Sequence, residues 1–298
     1  MVQTMEIRIE DDLDLKKIAD SGQCFRWTEI GPDSYRIIAD DKCLRIRKTG
    51  DSRFALYCPE EEFQDFWHDY LDLDESYSGI REKIERDRDE FLYRASEHEK
   101  GIRILRQNPW EMLITFIISQ NKNIPAIRRS IELLAETCGS RLTDREGDQY
   151  FAFPTAEAVA GLKEEQLRAC SLGYRCRYIH EAAMAVANGD MDLNRLTGTD
   201  EEETLQALTG LSGVGKKVAS CVSLFGLHRL NAFPIDVWIK RILAEQYPNG
   251  YPFDDYSPFN GVYQQYMFAY YRNSDKHYET GRLSQSVSDR YALTIRRF

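Results

Sequence analysis

The sequence predicts an α+β fold, in which an N-terminal antiparallel β-sheet domain precedes a mostly α-helical domain. Three observations lead there. Up to Cys58 the chain reads as short alternating strands separated by turn signals. A run of acids from Glu60 to Glu75 then ends the two-residue period. Beyond it, apolar residues recur at helical spacing.

Each element follows from its own pattern. MEIRIE alternates, with Met5, Ile7 and Ile9 on one face. SYRIIA, KCLRIRK and RFALYC come next, parted by Gly31-Pro32-Asp33, Asp40-Asp41 and Gly50-Asp51. Trp110 to Ile118 is apolar on nearly all sides, which predicts a buried helix. Ile127, Ile131, Leu134 and Cys138 share one face of another. Leu205 and Leu208 lead into a glycine-rich turn, and Val218, Val222 and Phe225 form the apolar face after it. Pro234 restarts the chain before IDVWIKRIL, where Asp236 is placed to cap a helix. VYQQYMFAYYR is the last helical run. The expected domains are 1–100 (sheet with a trailing helix), 101–273 (a two-part helical domain) and 274–298 (a polar tail of no assigned role).

Bulk properties exclude several classes. Hydrophobic residues at 42% and charged residues at 30% suit a globular protein, and no apolar run is long enough to span a membrane. The start lacks a secretory layout, so the expectation is a cytoplasmic protein. Seven scattered cysteines without a CxxC pair argue against a disulfide framework, a zinc site or an iron–sulfur cluster. They read as small buried hydrophobes, with Cys221 and Cys24 held apart from that reading. The net charge of -10 argues against non-specific coating of nucleic acid. That charge is segregated, however: residues 204–243 hold Lys216, Lys217, Arg229, Lys240 and Arg241 against the single acid Asp236.

The turn Leu211-Ser212-Gly213-Val214-Gly215 joins two short helices. Glycines allow positive φ and close approach of a ligand to backbone. Amides at the start of the second helix then offer a phosphate site without any basic side chain, with contacts expected at Gly213, Gly215 and Val218. Taken alone, such a turn is equally an ordinary corner between helices.

The flanking residues change that balance. LxGVGxKVAxC followed by a proline and an Asp-Val pair resembles the helix-hairpin-helix DNA glycosylases, and within them the 8-oxoguanine DNA glycosylases. The resemblance extends over SGQCFRW (21–27), ILRQNPWEMLITFIISQNKNI (104–124), LGYRCRY (172–178), the hairpin with PIDV (211–237) and QQYMF (264–268). It implies a helix-hairpin-helix element at 205–226 and double-stranded DNA gripped across the junction of sheet and helices. It further implies a bifunctional N-glycosylase and AP lyase in base excision repair that removes 8-oxoguanine. No metal or cofactor is expected, no membrane association, and a monomer.

The same resemblance distributes the roles. Lys217 matches the nucleophile and Asp236 the catalytic aspartate, while Lys216 falls where the family varies. A lysine with an ordinary pKa of about 10.4 attacks only when neutral, so burial is expected to favour its free amine. Attack on deoxyribose C1′ gives a Schiff base that permits β-elimination, and a nearby carboxylate can stabilise positive charge on the sugar. Because a stacked base is inaccessible, the nucleotide has to be extruded. Cys221 and Phe268 match the residues that sandwich the flipped purine, and Gln264 the one that bonds its Watson–Crick edge. Gly22 matches a glycine whose carbonyl accepts from N7–H, a donor present in 8-oxoguanine and absent in guanine. Asn121 matches the residue that fills the gap, Tyr174 the wedge beside it, and Arg175 a contact to the orphaned cytosine.

Two positions depart from the family pattern. Ala126 stands where the animal enzymes carry a further cytosine-reading arginine, which implies weaker opposite-base selectivity. Trp238 replaces a phosphate-contacting histidine. Two other readings stay open, an alkylated-base glycosylase of the same superfamily and a non-catalytic DNA-binding module. Lys217 and the absence of any cysteine after Cys221 weigh against the neighbouring branches.

Overall fold

The computed structural model describes residues 4–273; the tail expected at 274–298 lies outside the described residues. Five antiparallel strands form the N-terminal sheet: β1 (Met5–Arg8), β2 (Trp27–Gly31), β3 (Ser34–Ala39), β4 (Lys42–Gly50) and β5 (Arg53–Leu56). Their order is β1-β5-β4-β3-β2. Four of them are the predicted alternating runs. The fifth, β2, is the unexpected edge strand, pairing Trp27 with Ile37. Its outward residues Thr28, Glu29 and Ile30 are all exposed, so it carries no clean alternation from which to read it.

One face of the sheet buries Ile37, Leu44, Ile46 and Leu56 against α1 (Leu15–Asp20) and Trp67. Trp67 belongs to the acidic stretch, which is helical with a π-type turn at Phe63–Trp67. Its acids face out while its aromatics face the sheet. Asp72 is the exception: it is buried and accepts from Arg106 at 2.8 Å and from the Tyr77 hydroxyl at 2.7 Å.

A second core is helical, and α2 (Glu90–His98) packs within it. At its centre runs α3 (Pro109–Ser119), capped by Asn108 and buried from Glu111 through Ile118. A helix apolar all round can be stable only when enclosed, and each fully buried Leu or Ile contributes roughly 1.5–3 kcal/mol. Around it lie α4 (Ile124–Cys138), α5 (Arg175–Ala187), α6 (Glu201–Thr209), α7 (Lys216–Phe225), α8 (Val237–Gln246) and α9 (260–273). A short hairpin of β6 (Arg141–Thr143) and β7 (Gln149–Phe151) was not legible in the sequence. It returns the chain to the sheet domain, where Arg26 donates to the Phe151 carbonyl and pairs with Glu132 at 2.9 Å. Among the described residues no helix is long and apolar enough to cross a membrane.

Candidate active site

Where the sheet domain meets the helices, a cleft of about 930 Å³ opens, and its lining includes Gly22, Asn121, Lys217, Asp236 and Phe268. These five come from four separate sequence motifs, Lys217 and Asp236 sharing the hairpin stretch 211–237. The floor is aromatic. Phe116, at the middle of α3, meets Phe25 edge-on at 6.3 Å and stacks on Phe225 at 5.5 Å.

Lys217 occupies the first turn of α7, half-buried, with its ammonium 5.3 Å from the centre of the Phe116 ring. Among the described residues no carboxylate lies within ion-pairing distance of it. Lys216, next in chain, is exposed on the other side. A helix turns by about 100° per residue, so one of two adjacent lysines enters the cleft and the other faces solvent. Asp236 is the N-cap of α8, accepting from the Ile239 amide at 2.8 Å with one oxygen. It therefore caps and lines the cleft at once. Beside it Val237 is 76% exposed and Ile235 also faces out, an apolar lip that the sequence reading did not single out.

Gly22 has φ +81°, and the loop carrying it is clamped by the fully buried Gln23. That side chain donates to the Arg103 carbonyl at 2.8 Å and accepts from the Leu105 amide at 2.9 Å. Its own carbonyl accepts from Gln107 at 3.0 Å. Gly22 is thus fixed against the chain entering α3, and a side chain there would run within 3.7 Å of Phe268.

Two of the expected base-reading residues lie beneath the surface rather than on it. Cys221 is buried one turn beyond Lys217. Burial pushes its thiol up to about 11, against the pull of Lys217, so it is a neutral, polarisable contact and not a nucleophile. Gln264 is buried as well; its amide nitrogen donates to the Pro234 carbonyl at 3.1 Å and its oxygen accepts from Gln265 at 3.0 Å. Gln264 therefore holds the loop that carries Asp236.

The residues expected to fill the gap are braced as a unit. Asn121 sits at φ +51°, exposed, and donates to the Tyr174 hydroxyl at 3.1 Å. Tyr174 is 55% exposed at the rim. Arg175 is not presented to the cleft: it is 5% exposed, donates to the Leu172 carbonyl at 3.3 Å and the Gln120 carbonyl, and stacks under Tyr174 at 4.3 Å. Lys122 adds a bond to the Ser171 carbonyl at 2.6 Å, and burial lowers its pKa with help from Arg175. Two cations thus tie the Asn121 loop to the Tyr174 loop, a function the sequence reading missed because it turns on backbone carbonyls.

The hairpin joins the same assembly. Gln120 donates to the Gly213 carbonyl at 3.0 Å. Gly213 has φ +78°, and a Cβ there would lie 2.3 Å from the Tyr178 ring, so glycine is required twice over. Gly215 differs from expectation. Its φ is −89° in extended backbone, open to any residue, and nothing lies within 4 Å of a Cβ built on it. The value of a glycine there is an unobstructed outer surface. As N-cap of α7 it also offers no side chain to the first-turn amides, whereas Asn108, Asn123, Asp200 and Asp236 each cap their own helices. Val218 itself is buried, leaving its backbone as the part available. Among the described residues no cluster of three or more His, Cys, Asp or Glu could hold a metal ion.

Comparison with known proteins agrees with this fold. Residues 6–113 match the 8-oxoguanine DNA glycosylase N-terminal domain, and residues 114–250 match the HhH-GPD superfamily of base excision DNA repair proteins. The chain is 30% identical to the N-glycosylase/DNA lyase OGG1 of Arabidopsis thaliana over 74% of its own length and 63% of that protein's, so it spans just under two thirds of that relative. It is 32% identical to a probable N-glycosylase/DNA lyase of Methanothermobacter thermautotrophicus, covering 68% of this chain and 72% of the relative. A solved Clostridium acetobutylicum 8-oxoguanine glycosylase/lyase, bound to double-stranded DNA with cytosine opposite 8-oxoG, superposes with TM-score 0.85 at 32% identity. That match covers 92% of this chain and 98% of the other. On fold, cleft and motif together, the chain belongs to the 8-oxoguanine DNA glycosylase family of the HhH-GPD superfamily.

Proposed function

We propose that this chain excises 8-oxoguanine from duplex DNA and cleaves the resulting abasic site, with Lys217 as nucleophile and Asp236 as the carboxylate that stabilises positive charge on the sugar. The observation that carries the reading is the meeting of the Lys217 amine, the capping carboxylate of Asp236 and an aromatic floor in a single cleft, at the positions of the family motif. The neutral amine of Lys217 bonds to C1′ as the bond from C1′ to the base breaks, and the base departs with the electron pair. Asp236, held by the Ile239 amide, stabilises the positive sugar as that happens. Once the attacking nitrogen loses a proton, its lone pair opens the C1′–O4′ bond to give an iminium. The acidified C2′ then loses a proton and expels the 3′ phosphate by β-elimination, which breaks the strand.

The extruded base stacks on Phe268 with Cys221 at its other face, and the Gly22 carbonyl accepts from N7–H. Gln264 reads the Watson–Crick edge after its present bonds to Pro234 and Gln265 are exchanged for it. Asn121 and Tyr174 enter the gap. Arg175, buried as it is, reaches the orphaned cytosine only by releasing the Gln120 carbonyl. Phosphate is held by the open amides after Gly215. Domains of 1–100 and 101–273 grip the duplex between them, and the protein works as a monomer wherever the genome lies, in nucleoid or nucleus.

A cleavage assay on matched duplexes tests this. Base release with strand breakage at 8-oxoguanine, and neither at 7-methylguanine, is the expected pattern; base release from 7-methylguanine alone favours an alkylated-base enzyme, and binding without base release favours a DNA-binding module. With Ala126 in place of an arginine, cleavage opposite cytosine should exceed that opposite the other bases by less than in a relative carrying both arginines. Equal or stronger selectivity would contradict that expectation.

A further inference from the structure

Arg272 lies one helical turn beyond Phe268 on α9 and lines the same cleft as Lys217 and Asp236. Its guanidinium is 5.1 Å from the centre of the Phe268 ring and donates to the Asp20 carbonyl. A Cβ at Gly22 would stand 3.8 Å from its Nη1. Its Nε is buried with no hydrogen-bond partner among the described residues. Burial lowers its pKa, and Asp20, Glu99 and Asp236 oppose that shift. The sequence reading assigned this arginine nothing.

A guanidinium has donors only, so what completes it has to be an acceptor. Its neighbours on the cleft wall are the Phe268 ring, over which the guanidinium lies, and the bare backbone of Gly22. We propose that Arg272 is a base-reading residue, donating to a carbonyl oxygen of the base that stacks on Phe268 and stabilising the charge on that base as it leaves. This rests on the excision reading above. When the C1′–N bond breaks, its electron pair passes to the base and spreads onto the ring carbonyls. A donor already fixed beside them stabilises the departing anion more than the bound base. A base with an amino group at that edge leaves the buried donor unanswered, which disfavours it.

The test is single-turnover kinetics of wild type, Arg272→Met and Arg272→Lys on two duplexes, one with 8-oxoguanine and one with a preformed abasic site. Arg272→Met should slow base excision by about 10²-fold. The ratio of excision to abasic-site cleavage should fall at least about tenfold, because the second reaction has no base to lose. Arg272→Lys should recover part of the excision rate. A parallel fall in both reactions would mean that Arg272 only anchors the Asp20 carbonyl, and unchanged excision would mean that it touches nothing; either result overturns the inference. A wild type that cleaves abasic sites but leaves 8-oxoguanine intact would instead overturn the excision reading beneath it.

Discussion

Asp236 caps α8 and lines the cleft, and a single substitution can separate the cap from the catalytic task proposed for it. Its Oδ1 caps α8 through the Ile239 amide, and its charge faces the cleft. Asparagine caps a helix about as well as aspartate but carries no charge. Asp236→Asn should therefore keep thermal stability within about 1 kcal/mol of wild type while lowering single-turnover excision by about 10²-fold. A melting curve and a rate, measured on one preparation, check both halves. A large loss of stability with normal turnover per folded molecule would show that capping is the whole role. At this scale much of the candidate site was legible, because Lys217, Asp236, Gly22 and Phe268 sit in short motifs and line one cleft. Arg175 and Gln264 were less so. Which way a long polar side chain turns depends on carbonyls brought from remote segments, and here both turn inward to Gln120 and Pro234.

The hairpin is the element whose two glycines make opposite predictions. Gly213 is held at positive φ with Tyr178 packed where a Cβ would go. Gly213→Ala should lose about 1–3 kcal/mol of stability, combining backbone strain with displacement of the ring. Gly215 has ordinary extended backbone and open space. Gly215→Ala should fold with wild-type stability and bind duplex DNA several-fold more weakly, the methyl group standing where backbone and phosphate would meet. Denaturant titration and fluorescence anisotropy of labelled duplex distinguish the two. Equal losses of stability in both variants would contradict this division. Helices were largely readable here from apolar spacing and caps. The strand β2 and the hairpin of β6 and β7 were not, since each is three to five residues long with little buried on either face. Their pairing comes from tertiary contact rather than from local pattern.

Across the whole molecule, the two cores meet at a buried carboxyl. Glu111, in the first turn of α3, has been taken out of water between the domains. Burial pushes it up from an ordinary 4.5 to about 7, with Arg26 opposing and Asp40 and Glu132 reinforcing. The native state thus holds a proton that the unfolded chain has already released between those values. Stability falls as pH rises through that window, by about 3 kcal/mol in all, and stays lower above it. Glu111→Gln should flatten the decline between about pH 4.5 and 7 and raise the thermal midpoint at pH 8. An unchanged slope would mean that Arg26 holds Glu111 ionised throughout. The sequence could not show this seam, because Glu111 lies in a helix start where exposed acids are common.

Of two adjacent lysines, only the one turned into the cleft is predicted to form a bond to DNA. Borohydride trapping on duplex DNA containing 8-oxoguanine tests it most directly, with wild type, Lys217→Gln and Lys216→Ala compared at equal occupancy. The expected result is a covalent adduct with wild type and Lys216→Ala and none with Lys217→Gln. An adduct that persists in Lys217→Gln, or that disappears in Lys216→Ala while DNA binding is intact, would contradict it.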